Sequence, residues 1–326
     1  MIAAPPENSA PRTGVPLVPG SRYPGLRKFF ICIGAQKAGT TWLHEMLSRH
    51  PDCHLPPVKE VRFWDARIDR DDRFAFKVAD RLQDAARGRL YRAVTRHPRD
   101  LPAAVRRFRH VRAFDRMLKS AGTPSGPATY GDFVMMGYRG QPVAGELTPN
   151  YSLLDTEDFR QMAEVHHGNC FLFIMRDPVA RLWSGVLHKF RKRLKAGTVS
   201  DAEVFDRLEF EIADPQAVNA MRSRYDRTIG ALEAAVPQQR ILYLFYETLF
   251  SDQALRKITD FLGIETVSAD PAYHVNVSRR PGLKPSADQA RRAKAALAPV
   301  YEFVHQRFGA DVPPTWGHAF THGERA

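Results

Sequence analysis

Three continuous apolar runs frame the chain: Phe29-Phe30-Ile31-Cys32-Ile33, Phe171-Leu172-Phe173-Ile174-Met175 and Ile241-Leu242-Tyr243-Leu244-Phe245-Tyr246. Runs of this length without polar alternation suit strands covered on both faces. A shorter one, Val143-Ala144-Gly145-Glu146-Leu147, reads as a further strand entering Thr148-Pro149-Asn150-Tyr151. Between the runs the period changes. Thr40 to His50 reads as a helix, with Leu43, Met46 and Leu47 as its apolar positions and Pro51 ending it. Pro178, just after Arg176-Asp177, opens a second helix carrying Arg181, Ser184, His188 and a basic end, Lys189 to Lys195. Another helix follows Glu247 and closes at Phe261-Leu262-Gly263-Ile264, and residues 286–308 form a last one. Strands alternating with helices predict an α/β fold, three layers around a mostly parallel central sheet.

The connections carry their own pattern. Residues 54–57 read as a loop and 60–64 as a short extended segment or turn. Residues 66–120 read as mainly helical, broken around Pro98. There Val105, Phe108, Val111 and Phe114 recur every three residues, as one buried stripe would, with Arg106, Arg107, Arg109, Arg112 and Arg116 between them. This insert between core strands is expected to cap the mouth of the site. Residues 121–142 and the basic stretch 276–285 read as loops. The expected organisation is a disordered leader at 1–27, one domain at 28–310 and a tail at 311–326.

Composition alters this picture in two places. The 326 residues carry a net charge of +12, concentrated in residues 62–119, with 17 Lys and Arg against 8 Asp and Glu. Such a face is either a solvated helical surface or an attractor of anions. The three cysteines, Cys32, Cys53 and Cys170, lack metal-ligand spacing and fit buried free thiols in a reducing cytoplasm. No apolar run is long enough for a membrane span, and the leader lacks the apolar core of a signal peptide.

The candidate chemistry starts at Gly34-Ala35-Gln36-Lys37-Ala38-Gly39-Thr40-Thr41-Trp42. A strand, a glycine-bounded loop and a helix make an anion site from backbone N–H groups and the positive helix end. The two glycines have Walker spacing, yet Thr40 follows the second one and the lysine lies inside the loop, at Lys37. A Walker lysine reaches β- and γ-phosphates. A lysine inside the loop suits a reacting bond nearer the 5′ end of a nucleotide.

Taken together, the motifs resemble sulfotransferases that use 3′-phosphoadenylyl sulfate (PAPS). Gly34–Leu43 resembles that family's 5′-phosphosulfate loop. Phe171–Ser184, a strand ending in Arg176-Asp177-Pro178 with Ser184 eight residues past the arginine, resembles its 3′-phosphate motif. Ile241–Leu249 and the basic Val277–Pro285 resemble its later strand–helix unit and closing loop. The resemblance implies a P-loop-like fold, PAPS as co-substrate, adenosine 3′,5′-bisphosphate as product and no metal. It implies that Lys37 stabilises the leaving group, that Lys37, Ala38, Gly39, Thr40, Thr41 and Trp42 hold the 5′ end, and that Arg176 and Ser184 bind the 3′-phosphate. Arg279 and Arg280 are further phosphate candidates. Tyr225 is either an adenine-pocket or a core residue.

An acceptor hydroxyl or amine must lose its proton as it attacks, so a base is needed. Glu60 is one candidate, because Lys59-Glu60-Val61-Arg62-Phe63-Trp64 resembles a segment of glycosaminoglycan sulfotransferases whose glutamate is the proposed base; Arg62 stands where many of them have histidine. Glu146 is the second. His44, His50 and His188 are rivals. The Glu60 segment and the basic insert favour a carbohydrate or glycoconjugate acceptor, other small molecules remaining open. Two other readings stand beside this one: a nucleotide or adenylylsulfate kinase, and a non-enzymatic polyanion-binding module. Neither a specific nucleic-acid partner nor an oligomeric state is indicated.

Overall fold

The structure, a computed structural model, describes residues 16–68, 74–266 and 282–317. Five parallel strands form one sheet in the order β2-β3-β1-β4-β5. They are β1 (Lys28–Gly34), β2 (Cys53–His54), β3 (Val143–Leu147), β4 (Asn169–Met175) and β5 (Ile241–Phe245). Every residue of β3 and β4 is buried, as are all of β1 after Lys28, so helices cover both faces of the sheet. β1 lies between β3 and β4, pairing Ile31 with Glu146 on one side and Cys32 with Leu172 on the other. The chain therefore lays strands first to one side of β1 and then to the other. In open α/β sheets a crevice opens at the carboxyl ends of the strands where the order reverses. Here those ends deliver residues 34–39, 148–150 and 176.

The helices are α1 (Thr40–Arg49), α2 (Phe63–Ile68), α3 (Phe74–Thr95), α4 (Leu101–Ser120), α5 (Gly126–Val134), α6 (Thr156–Ala163), α7 (Pro178–Ala196), α8 (Asp201–Ala213), α9 (Val218–Met221), α10 (Tyr225–Glu233), α11 (Asp252–Leu262), α12 (Ala287–Ala296) and α13 (Ala298–Phe308). Five start where a side chain replaces a missing partner: Asp155 caps α6, Asp177 α7, Ser200 α8, Ser251 α11 and Ser286 α12. The expected last helix is two, divided at Leu297 just before Pro299, which supplies no N–H to continue the ladder.

Four sequence expectations are corrected. Residues 126–134 are helix, not loop: Pro127 sits in the first turn, where no N–H is needed, and Tyr130, Phe133 and Val134 are buried. Gly131 packs so close to the Leu17 carbonyl that a Cβ would lie 2.2 Å from it. Residues 16–27 are packed too, with Val18 fully buried and its N–H on the Val165 carbonyl at 2.8 Å. Part of the expected tail also joins the core, since Val312 and Trp316 are buried and the Trp316 indole donates to Glu247 at 2.9 Å. In the insert, Val111 and Phe114 are buried as expected, but Val105 is 39% exposed and Phe108 only half-buried. α3 and α4 pack together, and the buried residues of α3 are all alanines, Ala75, Ala79, Ala86 and Ala93. The three cysteines are buried and unpaired, and burial pushes each thiol up to about 12. No described helix is long and apolar enough to cross a membrane.

Candidate active site

β1 runs into residues 35–39, and α1 begins at Gly39 without a side-chain cap. Its first N–H groups therefore point into the crevice with no side-chain partner. Gly39 holds φ 87°, and a Cβ there would meet Leu249 at 2.6 Å, so the turn needs glycine on both counts. Lys37 also takes a left-handed φ, 73°. Its carbonyl accepts from the Arg176 guanidinium at 3.1 Å, which ties the end of β4 to the loop. The same guanidinium lies 4.5 Å from the Tyr246 ring centre. Ala38 and Thr40 are buried, and Trp42 turns inward to meet Phe250 edge-on at 5.3 Å.

The residues around Lys37 are mostly cationic. Its pKa is lowered first by burial and then by Arg176, Arg191 and Lys59, with Glu60 opposing. Lys59, also lowered chiefly by burial, donates to the Thr41 hydroxyl at 2.7 Å. His188 stands at the rim of α7. It is exposed, and its pKa is lowered by partial burial and then by Lys37 and Arg191. His44 is lowered by burial and Lys59, and its Nδ1 is enclosed without a partner. His50 is turned away, its ring bonded to the Glu265 carbonyl at 2.9 Å.

Glu60, in the segment before α2, opposes the lowering of the Lys37 pKa. Glu60 and Arg62 both hold left-handed φ, 58° and 57°, a costly conformation for residues with a Cβ. Arg62 is buried, pairs with Glu60, and reaches Asp65 at 3.4 Å. Glu60 keeps a third of its side chain exposed. Glu146 is different. It is fully buried and accepts hydroxyl hydrogens from Tyr130 at 2.9 Å, Thr148 at 2.8 Å and Tyr151 at 3.3 Å. Burial raises its carboxyl to about 7 against the pull of those hydroxyls. This corrects the second base assignment: Glu146 lies beneath the site, closed off from the cleft. Tyr225 is likewise a core residue, its hydroxyl donating to the Arg176 carbonyl at 2.8 Å. Ser184 is half-buried on α7, almost two turns past the Asp177 cap. Arg279 and Arg280 fall outside the described residues.

This arrangement has relatives. Residues 29–268 match the model of the sulfotransferase family. The chain belongs to that family. A sulfotransferase from Alicyclobacillus acidocaldarius shares the fold, with a TM-score of 0.56 at 20% identity, over 87% of this chain and 96% of that one. The sulfotransferase domain of the Synechococcus PCC 7002 olefin synthase aligns with a TM-score of 0.43 at 17% identity, over 88% and 96% of the two chains. The sulfotransferase STF9 from Mycobacterium avium aligns with a TM-score of 0.42 at 14% identity, over 89% and 78%. Among curated proteins none matches the sequence.

In this sulfotransferase several site-lining residues carry no motif of their own. Arg222, just after α9, reaches Gln36 of the loop at 3.0 Å and Asn150 at 2.6 Å. Lys59 is legible only as a neighbour of Glu60, yet it bonds Thr41 in the first turn of α1. Asp65 is buried, and burial raises it to about 6 against Arg62 and Asn150. A basic residue just past one short helix and an acid on another give no periodic signal, so only their convergence in space identifies them.

Proposed function

We propose that this enzyme moves a sulfuryl group from PAPS to an acceptor hydroxyl or amine, with a carbohydrate or glycoconjugate as the acceptor class. The observation that supports it most is the surplus of positive charge at an uncapped helix N-terminus. Lys37, Lys59, Arg176 and Arg191 gather there, opposed by Glu60 and, at Lys59, by Glu45. A phosphate joined to a sulfate supplies the missing negative charge, and backbone N–H groups of residues 38–42 supply its hydrogen bonds. Arg176 and Ser184 lie one strand away, a suitable place for the 3′-phosphate.

In this reading the acceptor oxygen or nitrogen attacks sulfur in line with the bridging oxygen. The bond from acceptor to sulfur forms as the bond from sulfur to bridging oxygen breaks. Lys37 and the α1 N–H groups take up the charge that grows on the departing phosphate, usually the largest catalytic contribution in transfers of this kind. Glu60 accepts the acceptor's proton; a third of its side chain is exposed, enough to be reached. Glu146 cannot serve, because three hydroxyls and full burial enclose it. Sulfate carries less charge than a γ-phosphate, so no metal is called for.

Isothermal titration separates this reading from a kinase. Adenosine 3′,5′-bisphosphate should bind at least tenfold more tightly than ATP with Mg²⁺, and EDTA should leave transfer unchanged. Preference for ATP–Mg²⁺, or activity lost to EDTA and restored by Mg²⁺, overturns it.

A further inference from the structure

A chain of polar side chains, buried at Arg62 and Asp65, joins the two halves of the cleft. On the donor side stands Gln36, next to Lys37. Its side-chain oxygen accepts from Arg222 at 3.0 Å. The other arm of the same guanidinium reaches the Asn150 oxygen at 2.6 Å. Asn150 in turn hydrogen-bonds the Asp65 carboxylate. Asp65 pairs with Arg62 at 3.4 Å, and Arg62 pairs with Glu60. Gln36, Arg222, Asn150, Asp65, Arg62 and Glu60 thus form one continuous path from the phosphate loop to the acceptor side.

We infer that Arg222 is a positioning residue that holds the Glu60 segment in register with the Lys37 loop. Three features support this role over simple anion binding. First, both arms of Arg222 are occupied by neutral side-chain oxygens, and its Nε is enclosed without a partner, so little of it is free for a ligand. Second, the charges along the path cancel: Arg222 and Arg62 against Asp65 and Glu60. The path adds no positive charge to the surplus around Lys37. Third, the segment it reaches needs holding. Glu60 and Arg62 both occupy left-handed backbone, which persists only when surrounding contacts over-determine it. The Arg62 N–H on Thr148 at 3.4 Å is a weak tether by itself. A misplacement near 1 Å at a reacting group can cost about a hundredfold in rate, so a rigid link between leaving-group lysine and base has a clear use.

This inference rests on the sulfuryl-transfer reading for its purpose but not for its test. Amide hydrogen exchange on the full chain, without ligand, reads the link directly. Arg222→Met keeps volume and removes both bonds. It should speed exchange at least tenfold in residues 34–42 and 58–66 together, while β4 and β5 keep their protection. Arg222→Lys, which keeps the charge and one donor reach, should restore part of that protection. Asn150→Ala cuts the path at another link and should loosen 58–66 in the same way. With adenosine 3′,5′-bisphosphate added, the unaltered protein should gain protection in both segments. Arg222→Met should bind that probe within threefold yet gain protection only in 34–42. Unchanged exchange in 58–66, loosening confined to residues 218–225, or a uniform rise through β4 and β5 overturns the proposal. Failure of the bisphosphate to bind the unaltered protein would instead remove the donor assignment, leaving the ligand-free comparison to decide the link.

Discussion

The two sides of the cleft are built by opposite means. The side proposed for the donor hangs on strand ends: β1 delivers Lys37, β4 delivers Arg176, and α1 and α7 carry their backbones onward. Tight parallel pairing and buried residues such as Tyr225 and Asp177 fix those ends. Asp177 alone caps α7 at Ala180, accepts from Tyr301 at 3.0 Å and receives the Gly317 N–H at 2.7 Å. The side proposed for the acceptor is a loop, residues 55–62, held by side chains: Lys59 on Thr41, Arg62 on Asp65, Arg107 on the Pro57 carbonyl at 3.1 Å. A site that must bind one invariant donor can be rigid by topology. A site that must suit a particular acceptor is easier to vary when its shape depends on a few side chains above a constant scaffold.

The contrast can be broken most severely at Lys37. Lys37→Ala should lower transfer by about a thousandfold, since removing a charge-stabilising donor costs roughly 10²–10³. Product release from PAPS, followed by chromatography, measures it; a loss under tenfold would show that the donor side does not depend on that charge. Next comes Glu60→Gln, expected to cost about a hundredfold in kcat, within the usual range for a general base. Bisphosphate affinity should stay within threefold, because Glu60 belongs to the other side. An equal loss of affinity would erase the division between the two halves. Ser184→Ala should weaken bisphosphate binding by about tenfold, the size of one hydrogen bond to a charged group, and leave the 58–66 segment's exchange rates as they were.

The buried Glu146 yields a test of stability. Its folded-state pKa, about 7, lies above the ordinary carboxylate value of 4.5. The native state therefore holds a proton that the unfolded chain has lost between those values. Stability from this group is full below about pH 4.5 and declines as pH rises towards 7, by at most about 1.4 kcal/mol per pH unit. Melting temperature should show that decline, and Glu146→Gln should flatten it. A Glu146→Gln variant with an unchanged pH slope would mean that the carboxyl is ionised throughout. The smallest effect is expected on the α3–α4 hairpin. Replacing Arg92, Arg96 and Arg99 by Gln, all exposed, should change melting temperature by no more than a degree or two and bisphosphate affinity less than twofold. A larger loss of affinity would tie the hairpin's charge to the donor side after all.

Legibility followed the same line. Lys37, Gly39, Arg176 and the order of strands could be read directly, because apolar runs, glycine spacing and strand-end arginines are local patterns. Glu60 could be placed beside them only through its resemblance to related segments. Glu146, read as a rival, looked equivalent by residue type; only the enclosure by Tyr130, Thr148 and Tyr151 separates the two. The helix at 126–134 was hidden by its Gly and Pro content, which suggests a loop until Tyr130 and Phe133 are seen to be buried. The insert's stripe misled at Val105 because a period of three marks a helix face but not what covers it.

By itself, then, the sequence determined the α/β class, the parallel core strands and a glycine-bounded loop with a lysine inside it, since all of these follow from local periodicity and backbone preference. The tertiary structure alone decided which carboxylate is open to the cleft, that Lys59 bonds Thr41, and that Arg222 spans Gln36 and Asn150. The separations are 18, 186 and 72 residues along the chain. No local pattern encodes contacts at such distances. They arise when parallel strands bring the carboxyl ends of distant segments to one edge of the sheet, where burial and charge select among the side chains that arrive there.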